Sequence, residues 1–66
     1  MHGKEHYLYA EILYSLSILF ANIGRLGISV RMAQEMCNIK QILFGKESSK
    51  YAHAIQHLIT LLFIKG

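Results

Sequence analysis

His53 and His57 stand four residues apart, on one face of any helix that carries them. That spacing can supply two metal ligands, yet a metal site needs three or four. The H-E-x-x-H motif places Glu directly after its first His, where this chain has Ala54. A third ligand would have to come from His2, His6, Glu5 or Glu11. The pair is therefore read as helix-surface histidines facing a groove. Cys37, the one cysteine, could act as a nucleophile only beside a base, and it follows Met36 on an apolar stripe where a small core residue fits. Glu5 and Glu11 are six residues apart, on different sides of a helix, so they do not form an acid–base pair. Gly24-Arg25-Leu26-Gly27 lacks the Lys-Ser/Thr that a phosphate-cradling loop requires. The expectation is a chain with no catalytic residue, no metal and no cofactor, and hence not an enzyme.

The elements that position these residues are helical. The 66 residues contain no proline and five spaced glycines, which suits a few uninterrupted helices. Apolar periodicity at three- and four-residue steps marks the first from about Glu5 to Ile23, through Ile12, Leu13, Leu16, Leu19, Phe20 and Ile23. Tyr9, Tyr14 and Ile18 add apolar area on other sides, the pattern of a helix sandwiched between neighbours. The second spans about Leu26 to Phe44. Its buried stripe is Leu26, Ser29/Val30, Ala33, Met36/Cys37 and Leu43/Phe44, opposite a polar face of Arg31, Gln34, Glu35, Asn38 and Gln41. Gly27 near its start is expected to allow two helices to approach closely. The third spans about Lys50 to Ile64 and is expected to bury Ala54/Ile55, Leu58, Leu61 and Leu62. Gly24, Gly45 and Gly66 end the three, and Ser48 or Ser49 caps the start of the third. The fold class is all-α, with antiparallel helix-turn-helix packing.

A repeat underlies this order. At an offset of 42, Gly3, Lys4, Glu5, Tyr9, Ala10, Leu16, Leu19 and Gly24 meet identical residues at Gly45, Lys46, Glu47, Tyr51, Ala52, Leu58, Leu61 and Gly66. Leu13/Ile55 and Phe20/Leu62 are conservative pairs. A fixed period of this size marks an array in which each unit buries its apolar face on the next. Helix A, helix B and helix A again make one and a half units, over residues 3–66 after a two-residue tail. An array normally needs about three units, so the sequence suggests a segment of a longer array. The bulk composition agrees: 53% of the residues are apolar, much for a chain of this size to hide, so neighbouring repeats or self-association are expected. One cysteine cannot form an internal disulfide, which fits a reducing, cytoplasmic setting. The net charge of +3 is spread singly, with no basic run or aromatic–basic alternation, so no nucleic-acid partner is expected.

These residues carry a resemblance. Leu13, Leu16, Ser17, Phe20 and Gly24-Arg25 resemble the helix A pattern of tetratricopeptide repeats, in the 42-residue variety of kinesin light chains. Leu26, Ser29, Ala33 and Met36 take the helix B positions, and Ile39–Gly45 resembles the close of that repeat. Gly3-Lys4-Glu5-His6 resembles its Gly-x-x-His linker, although Tyr7 and Ser49 stand where that linker has proline. The resemblance implies a TPR-like α-solenoid segment whose A helices line a concave groove for a peptide or a partner helix. Carried over by position, the groove residues are Glu11, Tyr14, Ser15, Ile18 and Asn22 from the first helix, with His53, Gln56, His57 and Thr60 from the third. No lysine lies on that helix face, so a grip on a C-terminal carboxylate is not implied. The function expected is a non-catalytic protein–protein interaction scaffold.

The alternative is a small membrane-associated helical protein, using the first and third helices as apolar hairpins. Tyr7–Ile23 is 17 residues long and holds Glu11. Tyr51–Ile64 is 14 residues long and holds two histidines. Spanning needs about 20 apolar residues, so both runs read as buried helices.

Overall fold

A computed structural model describes residues 3–65. It is all-α: α1 is Gly3–Asn22, α2 is Leu26–Phe44 and α3 is Ser49–Lys65. The expected bounds hold to within two residues, and the short tail lies outside the described residues. Three of the ends have a local cause, and Gly66, expected to end α3, lies outside the described residues. After α1, Gly24 takes φ +85°, a left-handed conformation that costs glycine little. Arg25 N–H then donates to the Phe20 carbonyl at 2.7 Å and Gly24 N–H to the Ala21 carbonyl at 3.2 Å. Those two bonds make a Schellman turn that satisfies the last carbonyls of α1. Gly45, at φ +84°, closes α2, with its N–H on the Gln41 carbonyl at 2.8 Å. Of the two candidate serines, Ser48 caps α3: its Oγ accepts from Lys50 N–H at 3.1 Å, and its carbonyl accepts the first helical bond from Ala52.

α2 packs on both α1 and α3. The Cα atoms fill a slab of 33 × 21 × 12 Å. So thin a body encloses few large side chains, and its core is a pair of small clusters. Ala10, Leu13, Met36, Cys37, Ile39 and Ala54 form one, and Val30, Ala33 and Leu61 the other. The stripe expected on α2 is the one that packs. Ile39 joins it because α2 serves two neighbours, so its buried arc is wider than a single stripe.

Three expectations are corrected. Leu62 is exposed rather than buried, because α3 turns the Ala54–Leu61 side to α2 and Leu62 lies off that side. α1 is not sandwiched: Leu8, Ile12, Leu19 and Ile23, on the side away from α2, are all exposed. Gly27 mediates no close approach, since a Cβ there would meet nothing within 4 Å.

Candidate functional site

Ser17 is where the three helices meet. It is fully buried, and its presence on the inner side of α1 puts a polar group where core packing would favour an apolar one. The site is stable because every polar atom is used. Ser29 Oγ from α2 donates to the Ser17 carbonyl at 2.5 Å. Ser17 Oγ donates to the Tyr14 carbonyl at 2.7 Å and lies 2.8 Å from Nε2 of His57 on α3. A hydroxyl has one proton, and that proton is committed to Tyr14. His57 therefore carries its own proton on Nε2 and donates it to Ser17. Tyr14 completes the junction, its ring edge-on to His57 at 4.7 Å and tilted against His53 at 6.1 Å.

This junction brings α1 and α3 side by side, with α2 beneath. Of the groove residues expected from sequence, the structure joins Tyr14, His53 and His57 directly. Tyr14 and His57 are half-buried and form the floor, with their rings engaged in the packing. Ser15, Ile18, Asn22, His53, Gln56 and Thr60 are exposed. Thr60 Oγ1 donates to the Gln56 carbonyl at 2.9 Å. Burial, then the charge of neighbouring His53, holds the His57 imidazole below its ordinary pKa, so it is neutral at pH 7.

Glu11 sits at one end, in a cleft of about 200 Å³ lined by Glu11, Tyr14, Met36, Lys40, His53 and Ala54. Lys40 was not among the expected groove residues. It belongs to α2, whereas the expected set was confined to the A helices, yet it lines this cleft together with residues of α1 and α3. Its ammonium lies 4.0 Å from a Glu11 carboxylate oxygen, with side-chain exposures of 12% for Lys40 and 45% for Glu11. It is also 5.1 Å from the centre of the Tyr7 ring and 5.8 Å from that of Phe44, which themselves meet edge-on at 6.0 Å. The lysine charge is thus held inside the fold, and the carboxylate is the charge that the groove presents outward. The cue in the sequence was the i, i+4 spacing of Met36, Lys40 and Phe44, which puts Lys40 on the core side of α2.

The other candidates for chemistry stay apart. Cys37 is buried, and burial raises its thiol pKa, which suppresses the nucleophilic thiolate. Among the described residues, no three His, Cys, Asp or Glu side chains gather as a metal site, and His2 lies outside them. On the other side of α1, Tyr9 OH donates to Glu35 Oε2 at 2.8 Å, and this bond and the carboxylate charge raise the phenol pKa. Among the described residues, no helix is long and apolar enough to cross a membrane.

The chain matches no protein-family model, no curated protein and no solved structure.

Proposed function

We propose that this chain is a non-catalytic protein–protein interaction module of the tetratricopeptide kind, in which the groove between α1 and α3 receives a peptide or a partner helix. The observation that carries this reading is the junction at Ser17. It fixes two helices side by side and leaves a row of exposed side chains above a floor of interlocked rings. Such a surface has the ingredients of recognition: aromatic area at low entropy cost, exposed amide and hydroxyl groups, and one outward carboxylate from Glu11. It has no activated nucleophile and no acid–base pair. A groove that offers Glu11 outward suits a partner segment with a basic residue at that end and small or polar residues along the rest.

The test is site-specific photo-crosslinking in cells. A photoreactive amino acid at Ile18 or Gln56, both exposed in the groove, is expected to give discrete protein adducts, and one at Arg31 on the back of α2 is not. Equal adducts at all three positions, or adducts only at Arg31, would refute the groove as the contact surface.

A further inference from the structure

α2 holds its two neighbours in different ways. To α1 it is joined by packing and by two hydrogen bonds, from Ser29 Oγ to the Ser17 carbonyl and from Tyr9 OH to Glu35. To α3 it is joined by apolar packing, through Ala54, Leu58 and Leu61. Among the described residues, the one hydrogen bond that ties α3 to another helix is the 2.8 Å contact of His57 Nε2 with Ser17 Oγ. Tyr14 adds its ring against His57 and His53, and the Lys50 ammonium lies 5.7 Å from the centre of the Tyr7 ring. The seam between α1 and α3 therefore turns on a titratable ring, and the seam between α1 and α2 does not turn on an imidazole.

The neutral His57 ring already carries its proton on Nε2, so a second proton must enter at Nδ1. The Ser17 bond is made in both protonation states, and the second proton gains no new partner there. It places a charge on a half-buried ring and costs that charge its hydration. The groups that face the histidine pair are Tyr14, Ser17 and Glu11 of α1, Lys40 of α2 and, within α3, each other. Glu11 does not compensate His57: its carboxylate is 4.0 Å from Lys40, and both line the cleft beside His53, which His57 does not line. From this geometry we infer that the Tyr14–Ser17–His57 junction is an acid-released latch, in which protonation of His57 frees α3 from α1 while α1 stays on α2. The same burial, and then the His53 charge, hold the His57 pKa below its ordinary value while the latch is shut. Release restores it to about 6.5. The latch is therefore fully closed above that pH and weakens as pH falls toward the lower, latched pKa. It rests on the junction, not on what the groove binds.

The experiment reads Cys37, which is buried in the same cluster as Ala54 of α3 and so reports α3 lifting away. The full chain is labelled with 4,4′-dithiodipyridine, a disulfide that reacts with thiols in mild acid, at pH 7.5 and 5.5. Each rate is divided by that of the urea-unfolded chain at the same pH, which removes the thiol's own pH dependence. Both measurements are repeated in low urea, because local opening exposes little surface and responds weakly to urea, whereas global unfolding responds steeply. The latch predicts that relative labelling rises at least about three-fold at pH 5.5, with weak urea dependence. His57→Gln, which keeps an N–H donor for Ser17, abolishes the rise, and His53→Gln shrinks it. No rise, a rise that survives His57→Gln, or a rise as urea-sensitive as global unfolding would overturn the proposal. Should His57→Gln not fold, the rise and urea response of the parental chain decide it. None of these outcomes bears on crosslinking from Ile18 at neutral pH, so the two readings fail separately.

Discussion

Ser17 shows how one polar residue sets the geometry of a small helical protein. An apolar residue there would pack α1 on α2 but would not fix where α3 lies. The hydroxyl gives His57 a partner at a definite position, and the Tyr14 ring then closes on it. Ser17→Ala removes that acceptor and leaves a half-buried imidazole N–H unpaired, which costs about 1–3 kcal/mol. Urea denaturation measures it, and the loss is expected to be larger than for Ser15→Ala, an exposed serine on the same helix. His57 also ties stability to pH. Its folded pKa lies below its unfolded value of about 6.5. The unfolded chain therefore takes up this proton more readily, and the contribution, complete above about pH 6.5, is lost as pH falls toward the folded pKa. Comparing urea midpoints at pH 7.5 and 5.5, His57→Gln is expected to shrink the difference. Of this chemistry, the sequence disclosed the i, i+4 histidines on one side of α3. It did not disclose Ser17 as their partner, because that contact joins residues 40 apart and depends on how two helices rotate about a third.

At the scale of elements, the ends of the helices were legible because they depend on local chemistry. Gly24 is followed by a chain that reverses at once, and only a left-handed residue makes that reversal without strain. Gly24→Ala puts a Cβ into open space, so nothing clashes, and its cost is the left-handed backbone alone, about 1–2 kcal/mol. Thermal unfolding should show it as a drop in Tm of several degrees. Gly27→Ala is the contrast: it is helical, open to solvent and expected to stabilise the chain slightly. The expectation of close packing at Gly27 failed because glycine in a helix says only that a side chain is absent, not that a neighbour has come close. The burial of α2 was legible because its apolar residues cluster on one arc. α1 and α3 are apolar around most of their circumference, so pattern alone did not reveal which side meets α2, and Leu62 was assigned inward for that reason.

The whole molecule is a thin body of three helices in which α2 packs on both of the others. Its three helices were readable from the apolar periods and the glycines, but the asymmetry of its ends was not: the register position of Leu61 is buried on α3 and that of Leu19 is bare on α1. That asymmetry yields a paired prediction. Leu61→Ala empties a buried site and costs about 2–5 kcal/mol. Leu19→Ala, at the matching position of α1, changes stability by at most about 0.5 kcal/mol in the isolated chain. Chemical denaturation of the two variants decides it. The function proposed for this chain rests on the groove, and one measurement tests that most directly. The chain is labelled with ¹⁵N, and its amide shifts are mapped as the partner identified by crosslinking is added. The account predicts that the perturbed residues run along Glu11, Ser15, Ile18 and Asn22 of α1 and His53, Gln56 and Thr60 of α3. A map centred instead on Arg31, Gln34 and Asn38, on the back of α2, would contradict it.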